Sequence, residues 1–253
     1  MRQFKLWNAK QTEAFDFAIQ GCLITEVSGL GLSFTTTLNN RAVVEHEREF
    51  DEIALLTNFG INANAYTAFN QFAAFVAANG RDKMVLEYTV NDRTVYADVW
   101  LKRMPKSQKT AYNILSETLL FTRVSYWYQI VSGTIPAAPA YQEIIHAFFE
   151  DLLVDLTIRA STPDDFRVIT KNPAGDTLSQ IIIPTQIVGG TLTLNAEEKY
   201  VDRYTALVHS NGYNLVSREG DTFLVLTQGT YRISTNVAVT NQPLFTYKKW
   251  VID

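Results

Sequence analysis

The stretch from Met84 to Tyr128 constrains the fold most. It reads as a strand, a tight turn, a second strand, a basic loop and a long strand, and it ends in the aromatic run Tyr126-Trp127-Tyr128. The alternation is then lost at Gly133-Thr134-Ile135-Pro136-Ala137-Ala138-Pro139-Ala140. Period-two patterning followed by a Pro- and Ala-rich break predicts a β domain over 1–132, a linker over 133–140 and a second domain over 141–253. The chain has 253 residues, 47% apolar and 19% charged, which is enough to bury two separate cores.

Upstream of that stretch the same period recurs. Phe4 and Leu6 alternate before a polar turn, and Phe15, Phe17 and Ile19 alternate after it, predicting an N-terminal β-hairpin. A further strand is expected from Cys22 to Val27, then a bulge or turn at Gly29-Leu30-Gly31. Acids fill every second position from Glu45 to Asp51, and Ile53 to Phe59 resumes the apolar pattern. One helix is predicted at about 62–79. Asn62 or Asn64 caps it, Gly80 ends it, and Tyr66, Phe69, Phe72, Ala73 and Val76 form a stripe at helical spacing.

Beyond 140 the strands are short and turn-bounded, at 152–159, 166–170, 178–183, 191–194 and 201–208, then 213–216, 222–226, 231–239 and 245–251. Such spacing predicts a β-sandwich. Tyr141 to Phe149 reads as a short helix or a first strand, with strand favoured. The expected fold is therefore mainly β: a sandwich or split-barrel-like N-terminal domain with one packed helix and a β-hairpin, then a C-terminal sandwich.

Signals for covalent chemistry are absent. His46, His146 and His209 are far apart in sequence and show no ligand spacing. Cys22 is the single cysteine, so no internal disulfide can form, and it reads as a small apolar packing residue. Gly29-Leu30-Gly31 fails as a dinucleotide fingerprint. Asp164-Asp165 after Pro163 reads as a turn before it reads as a metal or paired-carboxylate site. No catalytic residue, cofactor or metal is expected. The net charge of −4 leaves no nucleic-acid footprint. No window of about 18 apolar residues could span a bilayer, and Met1–Trp7 does not read as a secretory leader, so no membrane partner is expected.

In order and spacing, these motifs resemble a family, the distal tail proteins of siphophages that infect Gram-positive bacteria, of the lactococcal type. The resemblance is carried by Phe4-Lys5-Leu6-Trp7-Asn8 leading into Phe15-Asp16-Phe17, and by Gly29-Leu30-Gly31 before Ser33-Phe34. The helix at Tyr66 to Val76, the hairpin of Leu86-Glu87-Tyr88 with Arg93 to Leu101, and the closing Trp127-Tyr128 add to it. In the second half it rests on Thr191 to Asn195 and on Phe223 to Leu226 before Gly229.

The resemblance implies a non-enzymatic hub at the virion tail tip, made in the host cytoplasm. It implies a homohexameric ring with galectin-like C-terminal sandwiches. The ring would join the major tail-tube protein to the tail-associated fibre or lysin protein and anchor upper baseplate or receptor-binding proteins. DNA would be only passing cargo in its channel.

A ring needs two unlike surfaces on each subunit. The first half offers an acidic row, Glu45, Glu47, Glu49 and Asp51, and a basic loop, Lys102, Arg103, Lys106 and Lys109. These eight are the candidate inter-subunit contacts; the alternative is that both are solvated surfaces. A different function is a carbohydrate-binding module reading host-wall saccharide through the C-terminal sandwich, where Tyr200, Tyr204, Tyr213 and Trp250 could stack a sugar.

Overall fold

The alternating stretches become antiparallel ladders. In the computed structural model the described residues are 3–39, 42–61, 64–106, 113–159, 162–187, 189–217 and 219–251, with backbone alone for 32–49. The chain divides into two units, 1–129 with 250–253, and 130–249.

The first unit opens with β1 (Gln3–Trp7), β2 (Ala14–Asp16), β3 (Cys22–Ser28), β4 (Leu32–Asn39), β5 (Ala42–Phe50) and β6 (Ile53–Phe59). It continues with α1 (Ala65–Asn79), β7 (Met84–Val90), β8 (Arg93–Arg103), β9 (Leu115–Arg123) and the start of β10 (Trp127–Thr134). The ladder runs β2-β1-β7-β8, and from β8 onward through β9 and β6 to β3. Among the described residues β4 and β5 pair only with each other. Asn91 and Asp92 take positive φ of 48° and 62° in the two-residue turn between β7 and β8, the geometry a twisted hairpin needs.

The predicted helix forms, and Asn64 rather than Asn62 is its cap. The Asn64 side chain accepts the N–H groups of Tyr66 and Thr67 at 3.0 and 3.3 Å, satisfying two otherwise orphaned donors. Gly80 ends the helix as expected, at φ −80°, and its N–H bonds the Val76 carbonyl. Phe69, Phe72 and Phe75 are buried, while Tyr66, Ala73 and Val76 pack at the margin. Phe72 is central, with ring centroids of Phe15, Phe17 and Phe59 at 5.1, 5.6 and 6.0 Å.

Ile19 departs from expectation. Asp16 Oδ1 accepts the N–H groups of Ala18 and Ile19, which turns the chain, so Phe17 stays buried and Ile19 is exposed. The aromatic run is a beginning rather than a stop, because β10 continues to Thr134. Buried Asp98 anchors it: its Oδ1 accepts the Tyr128 hydroxyl at 2.8 Å, and its N–H donates to Ser125 Oγ at 2.8 Å.

The second unit contains β11 (Gln142–His146), β12 (Leu152–Arg159), β13 (Phe166–Lys171), β14 (Thr177–Ile183) and β15 (Thr191–Asn195). β16 (Tyr200–Thr205), β17 (Val208–Asn211), β18 (Leu224–Leu226), β19 (Gly229–Thr235) and β20 (Leu244–Val251) complete it. One layer is ordered β17-β16-β15-β12-β20, with β18 also on β12; the other is β11-β19-β13-β14. Their inward residues, such as Leu156, Ile158, Leu192, Phe166, Ile181 and Ile233, form one core, so this unit is a β-sandwich.

Residues 133–140, expected as a linker, are built into this sandwich. Ile135 is fully buried with its N–H on the Pro243 carbonyl, and Ala137 bridges Thr235. The expected strand 201–208 is instead a hairpin. Ala206 and Leu207 turn it at φ 49° and 65°, with none of the Gly or Asn that usually marks such a turn. Tyr213–Leu215 is a single 3-10 turn, not a strand.

Truncating Phe72→Ala should cost about 3–5 kcal/mol, as for other fully buried aromatics. Urea unfolding checks this, and a loss below about 1 kcal/mol would contradict the central place given to the ring.

Candidate functional site

Three of the four predicted acids lie on β5. Glu45, Glu47 and Glu49 sit at alternate positions opposite Thr37, Thr35 and Ser33 of β4. The positions between them pair Phe34 with Arg48 and Thr36 with His46. The two rows of the ribbon thus differ in composition, one acidic and hydroxylated, the other mixed apolar and basic. A bulge between Thr37 and Leu38 shifts the register toward the ribbon's tip. Asp51 is not on the strand; it lies in the two-residue connection from β5 to β6.

The root of the ribbon is tightly specified. The chain leaves β3 through Gly29 at φ +76°, where a Cβ would fall 1.8 Å from the Glu52 carbonyl oxygen. Only glycine fits that approach. Arg123 Nη1 donates to the Leu30 carbonyl at 2.9 Å, Nη2 donates to the Gly31 carbonyl, and Trp127 Nε1 donates to Leu30 at 2.9 Å.

Arg123 is 3% exposed. Its guanidinium lies 5.1 Å from the Phe50 ring centroid and 5.6 Å from that of Trp127. Tyr126 meets Phe50 edge-on at 5.0 Å. Burial draws the Arg123 pKa down and the nearby charge of Asp51 works against that; arginine remains a cation throughout. One buried cation therefore ties the outgoing strand, through the carbonyls of Leu30 and Gly31, to the returning one, through Phe50 and Asp51.

Arg123 was not singled out above, although a signal for it existed. β9 buries Leu115, Glu117, Leu119, Phe121 and Arg123 in strict alternation. A cation on the buried face of a strand needs partners, and here they are backbone carbonyls and aromatic faces.

The basic residues are partly engaged within the chain. Lys102 pairs with Glu52, beside Asp51. Arg103 closes β8 opposite Leu120 and is exposed. Lys106 Nζ sits 5.2 Å from the Tyr66 ring centroid and 5.4 Å from that of Phe69, holding the loop onto α1. Lys109 lies outside the described residues.

The remaining candidates have structural partners. His146 is buried, with Nε2 at 2.6 Å from the Glu150 carbonyl. His209 Nδ1 is 2.7 Å from Asp202. Burial pushes the Cys22 thiol up to about 12, which makes it a packing group and a poor nucleophile. Asp165 is in the turn at φ +55° and holds Arg167, while Asp164 accepts the Gln186 N–H. Among the described residues no group of three or more His, Cys, Asp or Glu could hold a metal, and no helix is long and apolar enough to cross a membrane.

Arg123→Lys keeps the charge but loses the fork that reaches two carbonyls. It should cost about 2–3 kcal/mol in urea unfolding, since hydrogen bonds from charged donors are the strong ones. A change under about 0.5 kcal/mol would show that the root is held some other way.

Residues 3–124 match the model of the distal tail protein N-terminal domain. No curated protein matches the chain. Among solved structures, a chain of the phage p2 baseplate in its activated conformation with Ca aligns at TM-score 0.72 and 16% identity, covering 99% of both chains. A chain of the same baseplate with Sr gives 0.70 at 16% identity and the same coverage. The SPP1 Dit protein, described as a paradigm of the hub adsorption apparatus in phages infecting Gram-positive bacteria, aligns at 0.60 and 9% identity, covering 98% of this chain and 99% of that one. At such identities the structures speak to the fold, which they share from end to end. Residues 3–124 therefore belong to the distal tail protein N-terminal domain family.

Proposed function

We propose that six copies of this chain form a ring at the virion tail tip. The ring joins the tail tube to the tail-associated fibre or lysin protein, carries peripheral baseplate or receptor-binding proteins outside, and leaves a central channel for DNA. The coarser part, a structural role at the tail tip, follows from the family. What supports the finer reading most is the end-to-end likeness to a chain of the p2 baseplate and to the SPP1 hub protein.

The ribbon adds a physical reason for association. A two-stranded hairpin alone is marginal in water, and both its outer edges present unpaired backbone groups. β4 and β5 have no third strand among the described residues. A head-to-tail neighbour would cover such a ribbon, and repeated copies of that contact close a ring. In this reading residues 1–132 build the ring, and 141–253 face outward to the partners.

The acidic row is proposed to meet the next copy's basic segment, with charge setting register and apolar burial supplying most of the affinity. The Lys102–Glu52 pair is surface-exposed and worth at most about 1 kcal/mol, so Lys102 can exchange partners on assembly. Arg103 carries more of the contact.

Light scattering on purified protein should give six times the chain mass of 28.6 kDa. A monomer at high concentration, alone and with tail components, would contradict the ring. Reversing Lys102 and Arg103 to Glu should cut the assembled fraction at least about ten-fold at low salt, with recovery as screening increases. An unchanged ring at moderate salt would remove the charge pairing.

A further inference from the structure

We propose that the outer face of the β15-β16-β17 ladder in the sandwich binds a neutral oligosaccharide, with Tyr204 and His209 as the stacking platform and Asp202 as a hydroxyl acceptor. This goes beyond the hub reading and rests on different residues, in the other unit.

The face follows from strand periodicity. Val201 is buried in the core, so Tyr200, Asp202 and Tyr204 lie on the opposite side of β16. Tyr204 is paired with His209 and Asp202 with Asn211 across the hairpin, and every residue of β17 is exposed. On the other flank Tyr204 is opposite Thr191, and Asp202 opposite Thr193.

The side chains there are organised. The Tyr204 and His209 rings lie 4.7 Å apart at a tilt of 42°. Asp202 Oδ2 is 2.7 Å from His209 Nδ1, which fixes the imidazole plane. The His209 side chain is nevertheless 71% exposed, and that of Asp202 24%.

The chemistry selects the ligand class. A pyranose offers a C–H face that packs on aromatic rings and hydroxyls that donate to carboxylates. At these positions on β15, β16 and β17 the face has aromatic, hydroxyl, amide and carboxylate groups and no aliphatic side chain, which disfavours an apolar protein contact. Its charge disfavours an anionic polymer. Burial and then the charges of Glu198, Asp202 and Asp155 raise the Tyr200 phenol, a sign of negative potential along this strand. Trp250, grouped with these tyrosines on sequence, belongs instead to the first unit, where it packs on Tyr126 and Tyr128. Tyr213 is engaged as well, with its hydroxyl on the Lys199 carbonyl.

The test is saturation-transfer NMR on the full-length protein with maltotriose, lactose and chitotriose as neutral probes and trigalacturonate as the anionic one. Transfer from at least one neutral probe is expected at about 10 mM sugar, a weak affinity usual for a shallow site. Tyr204→Ala and His209→Ala should each reduce binding about ten-fold, while Tyr204→Phe, which keeps the ring, should retain it; circular dichroism melting confirms that each variant is folded. No transfer from any neutral probe, preference for trigalacturonate, or binding unchanged in folded Tyr204→Ala would each overturn the proposal. Light scattering on the same samples reports the ring separately, so a negative sugar result leaves the hub reading standing.

Discussion

A buried arginine holds the root of the β4–β5 ribbon in place. Moving the Arg123 charge out of water is costly, and the Leu30 and Gly31 carbonyls, two aromatic faces and the nearby charge of Asp51 offset that cost. Those carbonyls belong to the point where the chain leaves the core, and Phe50 to the point where it returns. The contact therefore fixes where the β4–β5 ribbon begins. Gly29 completes the constraint, since no side chain fits against the Glu52 carbonyl.

Much of the fold was legible because it depends on local rules. Period-two apolar residues marked β1, β3, β6, β9 and most of the sandwich strands. The Asn64 cap and the Asn91-Asp92 turn were legible because their side chains and backbone preferences do specific local work. What escaped depends on tertiary context. Ala206 and Leu207 adopt positive φ without the residues that favour it, so an interrupted strand read as a continuous one. The Pro- and Ala-rich stretch after Gly133 looked like a linker because its pattern is neither helix nor strand, yet Ile135 is fully buried and Ala137 bridges Thr235.

The candidate site was legible in part for the same reason. Alternating acids on β5 follow directly from spacing, whereas Asp51 is off the strand because the chain turns there. The pairing of Lys102 with Glu52 joins residues far apart in sequence, and no local pattern announces it. Arg123 could have been found by asking why a cation falls on the buried side of an alternating strand. Tyr200 and Tyr204 were grouped on sequence with Tyr213 and Trp250, but the pairing of β16 with β17, which sets Tyr204 against His209, depended on the missed turn.

In the proposed reading the two halves divide the work: the first offers the β4–β5 ribbon to a neighbouring copy, and the second offers the polar face of its sandwich. The most direct measurement is hydrogen exchange of the backbone amides across 32–50, compared between concentrated assembled protein and dilute dissociated protein. If a neighbouring copy covers the ribbon, its outward-edge amides should be slow in the assembly and exchange rapidly once copies separate. Equal exchange in the two states would show that the ribbon stands alone, and that the chain associates, if at all, through another surface.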